Sequence, residues 1–250
     1  MCFSATASFT AGALLGAAGG YTLTQARGWR QRCYAAVPLL FGLHQIVEGG
    51  MWLALAHGGD TPAPVTAALT HAFPLLAYGF WPAYVPIAVY LLEPGTGQEI
   101  GGAGGLSRWR SRWRRFALGG LALVGLATAA LFHVQIWTSP VTARLTGQGI
   151  AYDFPFILPV DEMGTFSLAT ILAHWGYGLA TVVAPLCSRY RAVRALGLGM
   201  LISYNLAKQL YLAAYPSVWC FFAACLSLLV LLHFRPLWAY RPSASAVAPP

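Results

Sequence analysis

Apolar residues run along this chain in seven long blocks, at about 3–25, 33–57, 66–92, 116–136, 163–187, 195–215 and 218–234. Neither strict alternation nor a narrow helical stripe describes them. Most reach the roughly 20 mostly apolar residues that a helix needs to bridge about 30 Å of hydrocarbon. The connections carry arginine or are rich in Gly and Pro, the residues that interrupt helices. Only Pro216 and Ser217 part the last two blocks, where a tight turn at the membrane surface is expected. The pattern predicts an all-α polytopic bundle of seven transmembrane helices, one domain over 1–241, with a disordered tail over 242–250.

Composition excludes the alternative of a soluble domain. Of the 250 residues, 58 % are hydrophobic and 9 % charged, against roughly 45–50 % and about 25 % in ordinary soluble domains. The net charge of +8 would suggest nucleic acid in a soluble protein; here position matters more than the sum, and no nucleic-acid partner is expected. Arg27, Arg30 and Arg32 follow the first block. Arg108, Arg110, Arg112, Arg114 and Arg115 follow the third, Arg189, Arg191 and Arg194 the fifth, and Arg235 and Arg241 the seventh. All fall on one side. The other side holds Arg144 with Asp60, Asp153, Asp161 and Glu162. Lysine and arginine accumulate on the cytoplasmic side, so the N-terminus is expected outside and the C-terminus in the cytoplasm. Trp29, Trp109 and Trp113 lie beside the inner bases as interfacial anchors. The segment 107–115, SRWRSRWRR, also suits anionic lipid headgroups.

Small residues recur at four-residue spacing in the first block: Ser4, Ser8, Gly12, Gly16 and Gly20. Such a stripe lets a second helix approach closely, either within the bundle or in a homodimer. Pro74, Pro82 and Pro86 interrupt the third block. Irregular backbone at membrane depth is tolerated where it is buried or lines a cavity, which makes that block a candidate cavity wall.

Ionisable groups inside spans mark candidate functional sites. Glu48 is the acid within a block, and His44 precedes it by one helical turn, on the same face. At 1.5 Å per residue, Glu48 lies about 14 Å below the outer boundary. Lys208 lies about 10 Å below the outer end of the sixth block, sharing a face with Tyr204, Tyr211 and Tyr215, and His174 lies about 16 Å down the fifth, with Thr170, Tyr177 and Thr181. His71 and His133 lie nearer the outer surface. Convergence of these faces predicts a polar pocket open to the extracytoplasmic side, built from His44, Glu48, Trp52, His71, His174, Tyr177, Tyr204 and Lys208. The loop 137–162, containing YDFPFILPVDE, is long and aromatic enough to cover it.

Three uses of the pocket stand side by side. His44 and Glu48 with His174 or His71 would supply three ligands to zinc and leave a position open, the arrangement that activates water for hydrolysis. Glu48 and Lys208 at matched depth would form an ion pair and gate a proton or small-molecule path, unless Lys208 snorkels to the headgroups. Otherwise His44 and Glu48 belong to a hydrogen-bonded network in a ligand-binding, sensory or structural protein, the reading preferred over an enzyme. A retinal lysine is expected on the seventh helix of a microbial rhodopsin, and this chain has none there. Five cysteines show no CxxC pair. Cys2 and Cys220 both fall at outer helix ends, so either a disulfide joins them or both are free thiols.

The opening MCFSATASF (1–9) and the segment FGLHQIVEGGMW (41–52) resemble a family of uncharacterised bacterial integral membrane proteins. The resemblance implies a multi-pass protein of the bacterial inner membrane and draws attention to Cys2, Ser4, His44, Glu48 and Trp52. It implies no activity. Seven spans around a histidine-held zinc are also similar to the membrane hydrolases that include alkaline ceramidases and adiponectin receptors. Their paired HxxxH near the last helix is missing here, where the seventh block carries only His233.

Overall fold

A computed structural model describes residues 4–56, 63–94, 105–147, 149–153 and 168–234, the side chains of 105–107 and 168–170 excepted. Each of the seven apolar blocks is helical where it is described. The helices are α1 (Ala5–Gln25), α2 (Trp29–Ala35), α3 (Val37–Ala56), α4 (Ala63–Pro74), α5 (Trp81–Leu92), α6 (Gly105–Thr138), α7 (Leu168–Gly178), α8 (Ala184–Leu186), α9 (Arg191–Leu210), α10 (Tyr215–Leu226) and α11 (Leu229–His233). Four helical runs, Trp29–Ala56, Ala63–Leu92, Arg108–Thr138 and Leu212–His233, are long and apolar enough to cross a membrane, and Ile171–Leu186 is a shorter apolar one. Ser4 starts α1 by accepting a hydrogen bond from the Ala7 amide at 3.2 Å. Gly28, at φ 82°, makes the left-handed turn into α2, a conformation that costs glycine nothing.

Among the described residues two segments are π-helical, and prolines explain both. Leu75–Phe80 and Leu179–Val183 are π-helical, and each ends two residues before a proline, Pro82 and Pro185. A proline inside a helix withholds its N–H from the carbonyl four residues back and crowds it. Widening the preceding turn relieves the crowding and leaves carbonyls to find other donors. The Tyr177 hydroxyl takes one, donating to Ala77 O at 2.7 Å. The bond ties the end of α7, just before the second π-helical segment, to the first.

Small residues set the α1–α3 contact. A Cβ at Gly42 would lie 2.9 Å from the Gly12 carbonyl, and one at Gly19 2.4 Å from the Leu39 backbone nitrogen. The buried face of α1 is Ser8, Gly12, Leu15, Gly19 and Thr22, which corrects the four-residue stripe. Four residues turn a helix 40° past a full circle, so a Ser4-to-Gly20 stripe drifts by about 160°. Gly20 ends exposed, with nothing within 4 Å of its Cβ position.

A β-hairpin that the hydrophobic pattern did not reveal follows α6. Strands β1 (Thr142–Thr146) and β2 (Gly149–Asp153) pair antiparallel from Thr142↔Asp153 to Thr146↔Gly149. Arg144 and Asp153 close its exposed edge at 3.0 Å. Ile150, Ala151 and Tyr152 are buried, with β2 against α10 and β1 against α3. The apolar core runs beneath the hairpin through Phe41, Met51, Phe73, Trp81, Phe132, Tyr177 and Trp219.

At the opposite end of the bundle, Glu93 follows α5 directly and is 3 % exposed. Its carboxylate accepts hydrogen bonds from Ser188 Oγ (2.7 Å) and the Arg189 amide (2.9 Å), and Arg114 lies 3.9 Å away. Arg115 donates to the Glu93 and Pro94 carbonyls and to the Tyr90 hydroxyl, at 3.0–3.1 Å. The five-arginine segment is therefore divided. Arg114 and Arg115 pin the start of α6 to the end of α5, while Arg108, Arg110 and Arg112 are exposed.

Candidate functional site

The second apolar block supplies the site. His44, Gln45, Glu48 and Trp52 lie at spacings of three, four, seven and eight residues, so α3 presents them as one stripe. His44 and Gln45 are fully buried and Glu48 is 2 % exposed. Glu48 Oε1 accepts a hydrogen bond from Ser217 Oγ. Glu48 Oε2 faces Gln45 Nε2 at 3.3 Å. His44 Nδ1 accepts from the Trp81 indole N–H at 3.1 Å. That bond places the proton of a neutral imidazole on Nε2.

Ser217 is the residue that sequence reading placed elsewhere. Pro216 and Ser217 do not form a turn at the membrane surface: they are buried in the first turn of α10. Proline is accommodated there because its missing N–H would have no intrahelical partner. A one-turn 3₁₀ helix, Leu212–Ala214, makes the connection instead. The first turn of α10 thus presents a hydroxyl and the positive end of a helix dipole to the carboxylate.

The hairpin closes the site from the outer end. Tyr152 stacks on Phe73, with ring centroids 4.1 Å apart and planes 3° from parallel. Phe73 in turn packs on His44 at 4.8 Å. Next to the hairpin, α4 and the end of α3 border a groove of about 620 Å³, lined by Leu55, Thr66, Thr70, His71 and Thr142 among others. Its floor residue Thr70 contacts Met51 Sδ at 3.9 Å, less than one helical turn beyond Glu48. Deeper in the bundle, Phe41, Trp81, Tyr177, Thr181 and Trp219 border a void of about 10 Å³, enough for about one water. Trp81 and Val85 of the proline-interrupted third block line it.

Among the described residues, four buried polar atoms on this stripe and on β2 lack a hydrogen-bond partner: His44 Nε2, Gln45 Oε1, Trp52 Nε1 and Tyr152 Oη. Each such atom ordinarily costs about 1–3 kcal/mol. Native interiors leave few of them.

The other expected members divide. His71 lines the outer groove, stacked on Trp137 at 6.0 Å with its Nδ1 2.9 Å from Ala67 O. Tyr177 lies in the core below the site, against Tyr78 and Trp219. His174 is half-buried on α7, which packs on α6. Among the described residues, no three His, Cys, Asp or Glu side chains come together as a metal-binding group, so His44, Glu48 and His174 do not form the zinc triad. Beside Glu48 stands α10, which gives a hydroxyl and not a nitrogen ligand.

Lys208 does not pair with Glu48 either. It is exposed, with Nζ 3.5 Å from Tyr204 Oη and 5.7 Å from the Tyr204 ring. Tyr204 packs on Trp219 and Tyr215. Equal depth on two helices says nothing about their rotation, and α9 turns Lys208 outward. Cys220 is buried and free; Cys2 lies outside the described residues. So do His57, Asp60, Asp161, Glu162, Arg235, Arg241, most of YDFPFILPVDE and the tail 242–250.

The model of a family described as of unknown function, DUF6629, matches residues 1–246. No curated protein and no solved structure matches the chain.

Proposed function

Starting from the premise that the chain belongs to the DUF6629 family of unknown function, we propose that it is a multi-pass protein of a bacterial inner membrane. Seven spans carry the N-terminus outside and the C-terminus in the cytoplasm. In the extracytoplasmic half they hold a ligand-binding pocket centred on Glu48, serving a sensory or structural role and not a hydrolytic one. The observation that carries the pocket is Glu48 itself: a carboxylate 2 % exposed, among four partnerless polar atoms. Among the described residues no Lys, Arg or His nitrogen lies within 4.0 Å of it. A carboxyl group is costly to bury among apolar residues and marks a candidate functional site.

The membrane reading draws further support from α6. Trp113 and Trp137 are more than half exposed and, 24 residues apart, are separated by about 36 Å along the axis. That is the hydrocarbon thickness plus the interfacial layers where tryptophan settles. Between them Phe116, Leu123, Leu126, Leu131 and Val134 face outward, as lipid requires. Arg108, Arg110 and Arg112 are exposed below Trp113 and are the arginines available to anionic headgroups.

Single-cysteine variants in a cysteine-free background test both parts. With a membrane-impermeant maleimide on intact cells, Gly147→Cys is labelled at once and Arg110→Cys only after permeabilisation. Trp52→Cys reacts with a small thiosulfonate reagent from the outer side. Labelling of Arg110→Cys in intact cells overturns the orientation, and an inert Trp52→Cys overturns the outward-opening pocket.

A further inference from the structure

The helix α9, sixth of the proposed spans, carries polar groups where lipid would lie. It is not among the four runs that are plainly apolar, and the reason is its outward face. Val193, Leu196, Met200 and Ala207 are buried against the bundle, whereas Asn205 is exposed, with exposed Leu198, Leu201 and Ile202 around it. Asn205 lies 11 residues beyond Arg194, or about 16 Å at 1.5 Å per residue. With Arg194 at the inner boundary, that is the middle of a hydrocarbon layer about 30 Å thick. Asn205 Nδ2 donates to the Leu201 carbonyl one turn back, at 2.8 Å. Among the described residues its second N–H and its carbonyl oxygen have no partner. Lipid tails offer none, and polar groups left unpaired in hydrocarbon are costly.

The chemistry of the exposed group selects what covers it. A carboxamide holds both a donor and an acceptor, so it is its own complement. In a two-fold dimer with its axis along the membrane normal, both copies carry Asn205 at the same depth, and each amide can donate to the other's carbonyl. A different protein would have to bring a matching polar group to that depth, whereas a second copy does so by identity. The spacing agrees. Leu198, Leu201, Asn205 and Lys208 follow intervals of three, four and three, the alternation that keeps one seam of two helices in contact. In parallel pairs, a single asparagine on the seam fixes register and the number of chains. Lys208 need not oppose its mate, because its Nζ turns to Tyr204 Oη at 3.5 Å, beside the ring that packs on Trp219 and Tyr215 of α10. The small-residue face of α1 is already spent on α3.

We propose that α9 is the contact of a parallel two-fold homodimer in which the Asn205 carboxamides of two copies hydrogen-bond each other at the middle of the bilayer. This pairing rests on the membrane reading above, since water would satisfy an exposed carboxamide as well as a second copy does.

The test is disulfide cross-linking of the full chain in native membranes, with single cysteines in the cysteine-free background and copper phenanthroline as oxidant. Leu198→Cys and Leu201→Cys are expected to give covalent dimers, while Leu123→Cys, exposed on α6, stays single. Energy transfer between donor- and acceptor-labelled copies in liposomes, diluted stepwise with lipid, measures the strength of the pair. Asn205→Leu should raise the dissociation constant about tenfold, and Asn205→Gln, which keeps a carboxamide, should recover part of the loss. The circular dichroism of Asn205→Leu should match the wild type, so that lost pairing is not lost folding; should Asn205→Leu fail to fold, Asn205→Ala takes its place. Equal dimer yields at Leu201→Cys and Leu123→Cys overturn the interface, as does wild-type energy transfer in the folded Asn205 variant. Cross-links at Ala17→Cys, on the exposed side of α1, in place of those on α9 overturn it too and move the contact to the first helix. An alkaline carbonate wash separates the two readings. A chain released from the membrane pellet overturns the membrane reading and the pairing with it, whereas a chain that stays in the pellet without cross-linking loses only the pairing.

Discussion

Ser217 is expected at a surface turn, and Lys208 either paired with Glu48 or snorkelling to the headgroups. Ser217 sits on the buried carboxylate, and Lys208 points outward beside Tyr204. Removing the Ser217 hydroxyl leaves a buried carboxylate oxygen without its donor, so Ser217→Ala is expected to cost about 1–3 kcal/mol, read as a lower melting temperature in detergent. Ser217→Thr, which keeps the hydroxyl, should recover most of the loss. Lys208→Gln should leave stability within about 0.5 kcal/mol, as exposed substitutions usually do. A large loss in Lys208→Gln would revive the ion pair with Glu48. Sequence singles out Glu48 because an acid amid apolar residues is conspicuous. It could also have offered Gln45, three residues earlier on the same face. Tyr152 and Ser217 carry no such signal, because a tyrosine in a loop and a serine after a proline are ordinary where they stand.

Between elements, the close packing of α1 on α3 depends on rotation by a single residue. Gly19 faces the backbone of Leu39, whereas Gly20, its neighbour, faces open space. Gly19→Ala is expected to destabilise the bundle by about 1–3 kcal/mol through overpacking. Gly20→Ala should be neutral or gain up to about 1 kcal/mol from helix propensity. Thermal unfolding of the two variants side by side checks the assigned face, and equal effects would contradict it. The small-residue spacing was legible as a close-packing signal, but its partner and its drift around the helix were not. A repeat of four approximates a period of 3.6 only over a turn or two. The π-helical turns were legible in part, through the prolines that follow them. Their widening depends on donors such as Tyr177, 100 positions from Ala77.

At the scale of the molecule, the two ends are built differently. The basic end is tied by charge, with Glu93 joining the α5 end, the α6 start and the segment before α9. The other end is tied by packing, through a hairpin seated on α3 and α10. Arg108, Arg110 and Arg112 take no part in the Glu93 cluster and are exposed. Their joint replacement by Gln should leave thermal stability within about 1 kcal/mol. It should nevertheless lower the fraction of chains that insert with the C-terminus inside, measured with a C-terminal reporter, because arginine bias near span ends sets orientation. An unchanged fraction would show that the remaining arginines suffice.

What the sequence determined by itself was the helical blocks, their apolar length, the gathering of arginine in the connections between them and the α3 stripe carrying His44 and Glu48. Each follows from composition and from periods of a few residues, which a chain displays before it folds. Only the tertiary structure decided which side chains meet. It turned Lys208 outward, left His174 on α7, divided the arginines of the α6 start, brought Ser217 to Glu48 and stacked Tyr152 on Phe73. Those choices depend on how separate helices rotate and how a loop returns, and on contacts between residues as far apart as 48 and 217. Local periodicity carries no information about either.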